Sequence, residues 1–299
     1  SGNIYKGTPL TITNEGIEVT GELKVNGVSV TNIVGGMTPD SVSSATANKN
    51  ALQSAINTAV SNGGGKVEIP EGTYYINGEI TTQSSSKMPL LISGQGREVT
   101  SLVWNSNGDG FKVTLPGTTV GWDEVLVDTF IEFRDMSIKN TKQGVGTAIT
   151  IDNSGSLFQS GGGAHTNDAS PGKTVSTTLT PTCLVKNIGF AGEALNHGWN
   201  VGINFIDCNN TIIDSCFFKG AFTGNPSDGD APLSEGFVKY NTSGSATEHT
   251  MSKCRAYVCG YGVKMEGDGE GYNIDQCMFV LVWFGILADT HPNVNSGEQ

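Results

Sequence analysis

The 299-residue chain carries 17 basic and 29 acidic side chains, a formal charge of −12 at pH 7. This charge repels phosphate backbones and anionic lipid surfaces, and no apolar run reaches the roughly 18 residues of a membrane-spanning helix. Nucleic acid and membrane insertion are therefore excluded as expectations. Glycine is abundant at 41 residues, whereas charged residues make up only 15% of the chain. This composition is typical of a turn-rich, all-β protein.

The N-terminal part divides into two predicted segments. Residues 1–37 contain two alternating runs, the second with an Asn-Gly turn signal between Val25 and Val28, and we interpret them as a small β module. Residues 38–65 are predicted to be a linker and a capping helix. The helix is expected over about 50–62, because apolar residues recur there at helical spacing before a Gly cluster stops it.

The remaining residues, 66–299, contain only strand and turn signals. One hexad, with apolar residues at positions 1, 4 and 6, recurs five times: Phe133/Met136/Ile138, Val185/Ile188/Phe190, Ile213/Cys216/Phe218, Met251/Cys254/Ala256 and Ile274/Cys277/Phe279. Short strands that begin with glycine alternate with the hexads, starting at Gly146, Gly202, Gly236, Gly262 and Gly285.

Stacked repeats of this kind favour a right-handed, single-stranded parallel β-helix, a solenoid whose equivalent residues lie on one another. The six cysteines form no C-x-x-C pair, and we expect them to be reduced core residues, with Cys216, Cys254 and Cys277 in one buried column. A β-sandwich or jelly roll is the alternative architecture, although it would require hairpin turns and simple alternation.

Two sequence stretches carry a family resemblance. The run "NALQSAINTAVSNGGGKVEIPEGTYYI" and the following "LLISGQGREVTSLVW" resemble the entrance of the pectate-lyase-like β-helix superfamily, and most closely phage tailspike depolymerases. The segment "GELKVNGVSVTN" is similar to small β modules that precede such helices in phage fibres and spikes. The resemblance is specific over about 45–105 and rests only on the repeating pattern beyond it. Since members of this family usually have more repeats, it implies either that the β-helix is truncated at its C-terminal end or that the chain is an unusually short member.

The candidate catalytic residues come from the outward-facing strand positions. If inward and outward residues follow the glycines in a fixed order, then Thr150, Ile206, Tyr240, Glu266 and Asp289 form one exposed column. Glu266 and Asp289 would then lie one repeat apart, like the carboxylate pair of a retaining glycosidase, and one would be pushed toward protonation. Solvated surface acids are the simpler interpretation. Lys239 breaks the inward pattern, which indicates a register shift or a buried charge.

Two long turns, 191–201 and 219–235, are predicted to wall a groove because loops on a rigid scaffold often carry function. We assign Glu235 from these turns to the catalytic candidates. The candidate substrate-binding residues are Tyr240, Trp199, His197, Asp228, Asp230, Lys264 and Arg255. The two aromatic residues would stack on sugars. Lys264, Arg255 or His197 would serve as base in an elimination reaction. The acids of "SDGD" could bind Ca²⁺ but lack a complete calcium loop, so that no cofactor is expected.

By resemblance, the first functional hypothesis is a phage tailspike that depolymerises capsule or O-antigen by endoglycosidic hydrolysis with paired carboxylates. A polysaccharide lyase acting by β-elimination is the enzymatic alternative, and a non-catalytic receptor-binding or structural virion β-helix is the alternative from another class. The resemblance also implies a virion location, action at the bacterial surface, a homotrimer and contacts of the N-terminal part with other tail or baseplate proteins.

Overall fold

The computed structural model describes residues 10–13, 16–19, 24–25, 28–29, 32–83, 90–115, 131–154, 183–208, 210–224, 230–242, 247–267 and 270–289. Within these ranges the chain is all-β apart from one α-helix, α1 (Ala45–Ser61), and a short 3-10 turn, Val42–Ser44, at its start. The Gly/Ser/Thr-rich stretch 153–182, which its composition indicates to be a long insertion, lies almost entirely outside the described residues.

The strands are numbered in chain order. The first five belong to the N-terminal segment: β1 (Leu10–Thr13), β2 (Gly16–Val19), β3 (Lys24–Val25), β4 (Val28–Ser29) and β5 (Asn32–Ile33). Six follow the helix: β6 (Gly65–Glu68), β7 (Gly72–Ile76), β8 (Ile80–Gln83), β9 (Leu90–Ser93), β10 (Thr100–Trp104) and β11 (Phe111–Thr114). The others are β12 (Ile131–Asn140), β13 (Val145–Asp152), β14 (Cys183–Gly192), β15 (Trp199–Ile206), β16 (Thr211–Asp214), β17 (Phe217–Lys219), β18 (Gly236–Thr242), β19 (Thr247–Ser252), β20 (Arg255–Gly267), β21 (Glu270–Asp275) and β22 (Met278–Asp289).

Strands β5 to β22 form one curled sheet in which every described pairing is parallel. The pairings follow three ladders. The first ladder runs β6-β9-β12-β14-β16-β19-β21. The second runs β7-β10-β12-β14-β17-β20-β22. The third runs β8-β11-β13-β15-β18-β20-β22. This arrangement is consistent with a β-helix.

The hexads stack as the sequence predicts. Phe133 pairs with Val185, Val185 with Ile213, Ile213 with Met251 and Met251 with Ile274. The third residue of each hexad has a positive φ: Asp135, Asn187, Ser215, Lys253 and Gln276. Such a left-handed residue turns the chain between the first and second ladders, and it explains why the apolar spacing is three and then two residues.

The core lies on the inner side of the curled sheet. Its members are almost entirely aliphatic or aromatic, and rings of successive repeats pack on one another, as in the stacked strand partners Phe205 and Tyr240 with centroids 5.2 Å apart. Cys216 and Cys254 are buried in the predicted column, and Cys277 is partly buried. Their prediction as core residues is confirmed for Cys216 and Cys254, whereas Cys277 packs against the core from a partly exposed position.

Helix α1 packs against β6, β7 and β8, and Leu52, Ile56 and Ala59 are buried in the core. The helix begins five residues before its predicted start. The reason is Asn48, whose buried side chain accepts from Thr38 N (2.7 Å) and donates to the Thr38 carbonyl (3.0 Å) and the Tyr75 carbonyl (3.1 Å). Hydrogen bonds rather than an apolar stripe therefore fix the first turns of the helix.

In the N-terminal segment, β1 and β2 pair antiparallel, and so do β3 and β4. Val25 is the direct partner of Val28, as the Asn-Gly signal predicts. The division of the chain at residues 37 and 65 stays a prediction.

Candidate functional site

The candidate site lies on the outer side of three neighbouring strands in the third ladder, β18, β20 and β22. Lys239 pairs with Lys264 and Lys264 with Leu287, whereas Asn241 pairs with Glu266 and Glu266 with Asp289. Residues that alternate along a strand point to opposite faces, so these two rows share one face of the sheet. The two rows contain four charged residues in three successive repeats.

The fixed order that we inferred from the glycines is wrong at Gly236. Gly236 pairs with Val201 and with Tyr261, one position before the glycines of the neighbouring repeats, Gly202 and Gly262. The register is therefore shifted by one residue, which was one of the two explanations for Lys239. The shift places Lys239 on the outer face beside Lys264 and moves Tyr240 to the inner face.

Two lysines and two glutamates form a continuous ion-pair row, which we call the Lys–Glu cluster (Lys239, Glu266, Lys264 and Glu235). Lys239 Nζ lies 2.9 Å from Glu266 Oε2, and Lys264 Nζ lies 2.5 Å from Glu266 Oε1. Lys264 Nζ also lies 3.7 Å from Glu235 Oε1. The carboxylates of Glu235 and Glu266 therefore contact the same ammonium group.

The pKa of Glu266 is lower than usual. Burial raises this pKa, but hydrogen bonds and charge from Lys264 and Lys239 together outweigh that effect. Glu266 is therefore ionised at neutral pH, a state suited to a nucleophile or base rather than an acid. The raised pKa that we predicted for one member of the Glu266–Asp289 pair does not apply to Glu266. The Asp289 side chain lies outside the described residues, although its backbone pairs with Glu266.

A cleft of about 420 Å³ adjoins the Lys–Glu cluster. Its polar side is formed by Glu235, Lys264 and Asn200, and two aromatic residues from the last repeat, Trp283 and Phe284, line it as well. Their side chains are 60% and 51% exposed. Exposed aromatic rings beside charged groups can stack on a sugar face while the charged groups bind its hydroxyls.

The turn before β18 holds Glu235 at the rim of the cleft. Glu235 N donates to Asn200 Oδ1 (3.0 Å), and Asn200 Nδ2 donates to Glu235 Oε2 (3.4 Å). The preceding residue, Ser234, is buried, and its hydroxyl donates to the Trp199 carbonyl (2.6 Å) and accepts from Ala221 N (2.7 Å). These bonds fasten the turn to β15, so that the position of Glu235 is set by the scaffold.

Tyr261 forms part of the cleft wall together with Glu235. Burial raises its pKa, and the negative charges of Glu235 and Glu266 raise it further, so the hydroxyl stays protonated. Its ring occupies the space above Gly236, where an added Cβ would lie 2.1 Å from a ring atom. Glycine at 236 is therefore required by the Tyr261 ring.

The structure contradicts two predicted sugar-stacking residues. Trp199 is fully buried, and its ring nitrogen donates to the Ile138 carbonyl (3.1 Å). Tyr240 is also buried, and it stacks on Phe205 with ring centroids 5.2 Å apart. Both rings fill the core, because an inward position in a stacked repeat accepts the largest apolar side chains.

Other predicted residues are not brought to the cleft. Arg255 is exposed on the second ladder, where it pairs with Phe217 and Met278. His197 is partly buried in the loop between β14 and β15, and Asp230 is exposed in the turn before β18. Asp228 lies outside the described residues. Of the predicted set, the structure unites Glu235, Lys264 and Glu266.

Sequence reasoning missed Tyr261, Trp283, Phe284 and Asn200 as members of the site. None of these four residues has a sequence feature that marks it as part of a site. The sequence feature that did point to this region is Lys239, because its charge interrupts an apolar pattern. Trp283 and Phe284 lie in the run "VLVWFGIL", which has the composition of a buried strand. Among the described residues no group of three potential metal ligands occurs, and no helix in this part of the chain is long and apolar enough to cross a membrane.

Neither a known protein family nor a curated protein matches the sequence. Solved structures give partial similarity. ORF18 of Geobacillus virus E2 is 14% identical with a TM-score of 0.29, and the alignment covers 95% of this chain and 68% of that one. The surface adhesin PfbA of Streptococcus pneumoniae is 13% identical with a TM-score of 0.25, covering 84% and 77%. The Agl-KA catalytic domain is 10% identical with a TM-score of 0.26, covering 92% and 72%. Similarity at this level carries no argument about function.

The fold and the site thus define the class of protein: an all-β protein with a curled parallel sheet, one N-terminal helix, and an aromatic-lined cleft beside a cluster of ion pairs.

Proposed function

We propose that this protein binds a bacterial surface polysaccharide in the cleft and hydrolyses it with Glu235 and Glu266. The observation that carries the proposal is the contact of both carboxylates with the single ammonium group of Lys264, beside exposed Trp283 and Phe284. Paired carboxylates are the usual catalytic groups of glycosidases. Glu235 replaces Asp289 as the partner of Glu266 in this proposal, because Glu235 lines the cleft.

Each carboxylate has a distinct role in the proposed reaction. Ionised Glu266 attacks the anomeric carbon, and the bond to the leaving oxygen breaks as Glu235, acting as the general acid, gives that oxygen a proton. Water then displaces Glu266 from the sugar and returns a proton to Glu235. Since both carboxylates touch Lys264, their nearest oxygens are separated by no more than the two contact distances together. This favours the roughly 5–5.5 Å spacing of retaining enzymes over the wider inverting arrangement.

The same proposal includes the architecture and the setting. We infer that the three ladders belong to a right-handed parallel β-helix of a phage tailspike, homotrimeric in the virion and acting at the host surface. The stacked hexads and the helix against the first repeat support this architecture. The tailspike assignment rests on the resemblance of residues 45–105, and contacts of the N-terminal part with other tail proteins follow from the same resemblance.

Incubation with purified capsule or O-antigen tests the enzymatic proposal. Reducing ends and ultraviolet absorbance from an unsaturated sugar should be followed together, because hydrolysis yields only the first signal. We expect Glu266→Gln and Glu235→Gln to lose at least about 100-fold in rate, within the range that general acid–base catalysis contributes. Glu98→Gln is the matched control, since Glu98 is 86% exposed and lies outside the cleft. Full activity of either glutamate variant would remove that residue from the mechanism.

Non-catalytic binding is the second candidate function. It is favoured by the ion pairs themselves, because both glutamates already have a lysine partner and the cluster is neutral overall. Under this alternative the polysaccharide binds and neither signal develops. An increase of both signals would instead indicate elimination, with a lysine of the cluster as the candidate base.

A further inference from the structure

Part of the cleft is lined by apolar side chains, which cannot form hydrogen bonds with the hydroxyl groups of an unsubstituted sugar. Leu233, Phe284 and Leu287 line it together with the polar groups Glu235 and Asn200. Leu287 continues the row of Lys239 and Lys264, so the position that carries a lysine in two repeats carries a leucine in the third. The charged row therefore ends against an apolar wall inside the same cleft.

This change of chemistry restricts the sugar that fits. An ordinary hexose presents hydroxyl groups around its whole rim, and a hydroxyl that loses water against leucine without gaining a hydrogen bond is unfavourable. A methyl substituent in the same place gains the free energy of apolar burial. The aromatic rings of Trp283 and Phe284 can bind the ring face of either sugar, so they do not discriminate between the two.

We propose that the cleft selects a sugar residue bearing a methyl group, either the C6 methyl of a 6-deoxyhexose or the methyl of an acetyl substituent. The hydroxyl side of this residue binds Glu235 and Asn200, and its methyl group packs on Leu287 and Leu233. This inference rests on the proposed function only in taking a carbohydrate as the ligand; it requires binding and not hydrolysis.

Two pairs of methyl glycosides provide matched probes. Methyl α-L-rhamnoside and methyl α-L-mannoside differ only in having a methyl or a hydroxymethyl group at C6. Methyl N-acetyl-β-D-glucosaminide and methyl β-D-glucoside differ by an acetamido or a hydroxyl group at C2. Dissociation constants are measured by NMR titration of the intact protein. Saturation transfer from the protein shows which ligand protons contact it.

We expect the methyl-bearing member of at least one pair to bind about fourfold more tightly, the effect of burying one methyl group. Saturation transfer should be strongest at that methyl group. The pair that shows the preference identifies the source of the methyl group. In Leu287→Asn and, separately, Leu233→Asn, the preference should disappear while weak binding of both members remains. Leu195→Asn is the control, because Leu195 is 73% exposed in a different loop.

Equal affinities within both pairs would overturn the inference, and so would a preference that survives in both cleft variants. Failure of all four glycosides to bind would overturn it as well. The proposed hydrolysis is decided separately by the release of reducing ends from polysaccharide. Methyl selectivity without hydrolysis would therefore leave this inference standing and refute the enzymatic proposal.

Discussion

The inner and outer sides of β18, β20 and β22 share one strand register but differ in which kinds of side chain lie next to each other. On the inner side, Val238, Val263 and Ile286 are successive partners, so like stacks on like. On the outer side, two lysines are partners and a glutamate lies between their charges. Apolar side chains gain from a similar neighbour, whereas equal charges in adjacent strands repel unless an opposite charge separates them. Regular repetition therefore marks the core, and its interruption marks the candidate site.

Substitution of two consecutive phenylalanines, one on each side of the sheet, tests the difference between the inner and outer sides and should give the largest change in the free energy of unfolding. Phe218 is fully buried and stacks on Phe237, whereas Phe217 is partly buried and packs on Tyr257 of the outer side. We expect Phe218→Ala to lower the free energy of unfolding by about 3–5 kcal/mol, because it leaves a cavity among rings. Phe217→Ala should cost about 1 kcal/mol. Chemical denaturation of both variants measures the difference, and equal losses would show that the two faces do not differ as described.

The inner side contains a buried polar pair, His249 and Thr211, which a second prediction uses. His249 is buried, its Nδ1 lies 2.9 Å from Thr211 Oγ1, and its ring packs against Tyr240 and Tyr272. Burial lowers the pKa of His249 from 6.5 to about 4. At pH values between 4 and 6.5, His249 is therefore protonated in the unfolded chain but neutral in the folded chain. The free energy of unfolding consequently falls as the pH decreases through this range.

The loss attributable to His249 should reach roughly 3 kcal/mol at pH 4 and be absent above about pH 7. It is measured as the difference in pH dependence between the parent protein and His249→Gln, followed by denaturant unfolding. His197→Gln is the control, since His197 is only partly buried in a loop. The same pH dependence in the parent and in His249→Gln would place the proton uptake at another group.

Substitutions in the cysteine column should have a smaller effect on the free energy of unfolding, and they allow the middle of the stack to be compared with its last described repeat. Cys254 and Cys277 occupy the same hexad position, but Cys254 is fully buried and Cys277 is only partly so. We expect Cys254→Ala to lower the unfolding free energy by about 1 kcal/mol and Cys277→Ala by less. Neither should change polysaccharide cleavage by the folded protein. Lost activity with unchanged stability in Cys277→Ala would mean that the column faces the site.

The sequence predicted the repeat well because its signal is a periodic one. Each hexad places apolar residues at fixed spacing, and parallel stacking preserves that spacing from Phe133 to Ile274. The outer face could not be predicted equally well. A single-residue shift at Gly236 exchanges inside and outside, and the glycine pattern alone gives no means of detecting it. Lys239 signalled the shift, but its correct position required the pairing with Lys264.

The candidate site was therefore found in part. Glu235, Lys264 and Glu266 were expected from charge and loop position, and the structure brings them together. The prediction that Trp199 and Tyr240 stack on sugars was wrong, because the sequence around an aromatic residue in a turn or strand does not show whether its ring is exposed to a sugar or buried in the core. Trp283 was missed for the opposite reason, since its apolar neighbours made an exposed ring look buried.

The smallest expected stability change belongs to Glu266, and it separates the two faces most clearly. Replacement by glutamine keeps the size of the side chain but removes the charge that Lys239 and Lys264 share. Partly exposed ion pairs contribute about 1 kcal/mol or less, so Glu266→Gln should be nearly as stable as the parent at pH 7. Because these lysines lower the pKa of Glu266, the small difference should vanish as pH falls and the parent carboxylate becomes protonated. Thermal or denaturant unfolding at pH 7 and pH 3 measures it. A loss as large as that of Phe218→Ala would mean that the outer row holds the fold together, and the Lys–Glu cluster would then need no functional explanation.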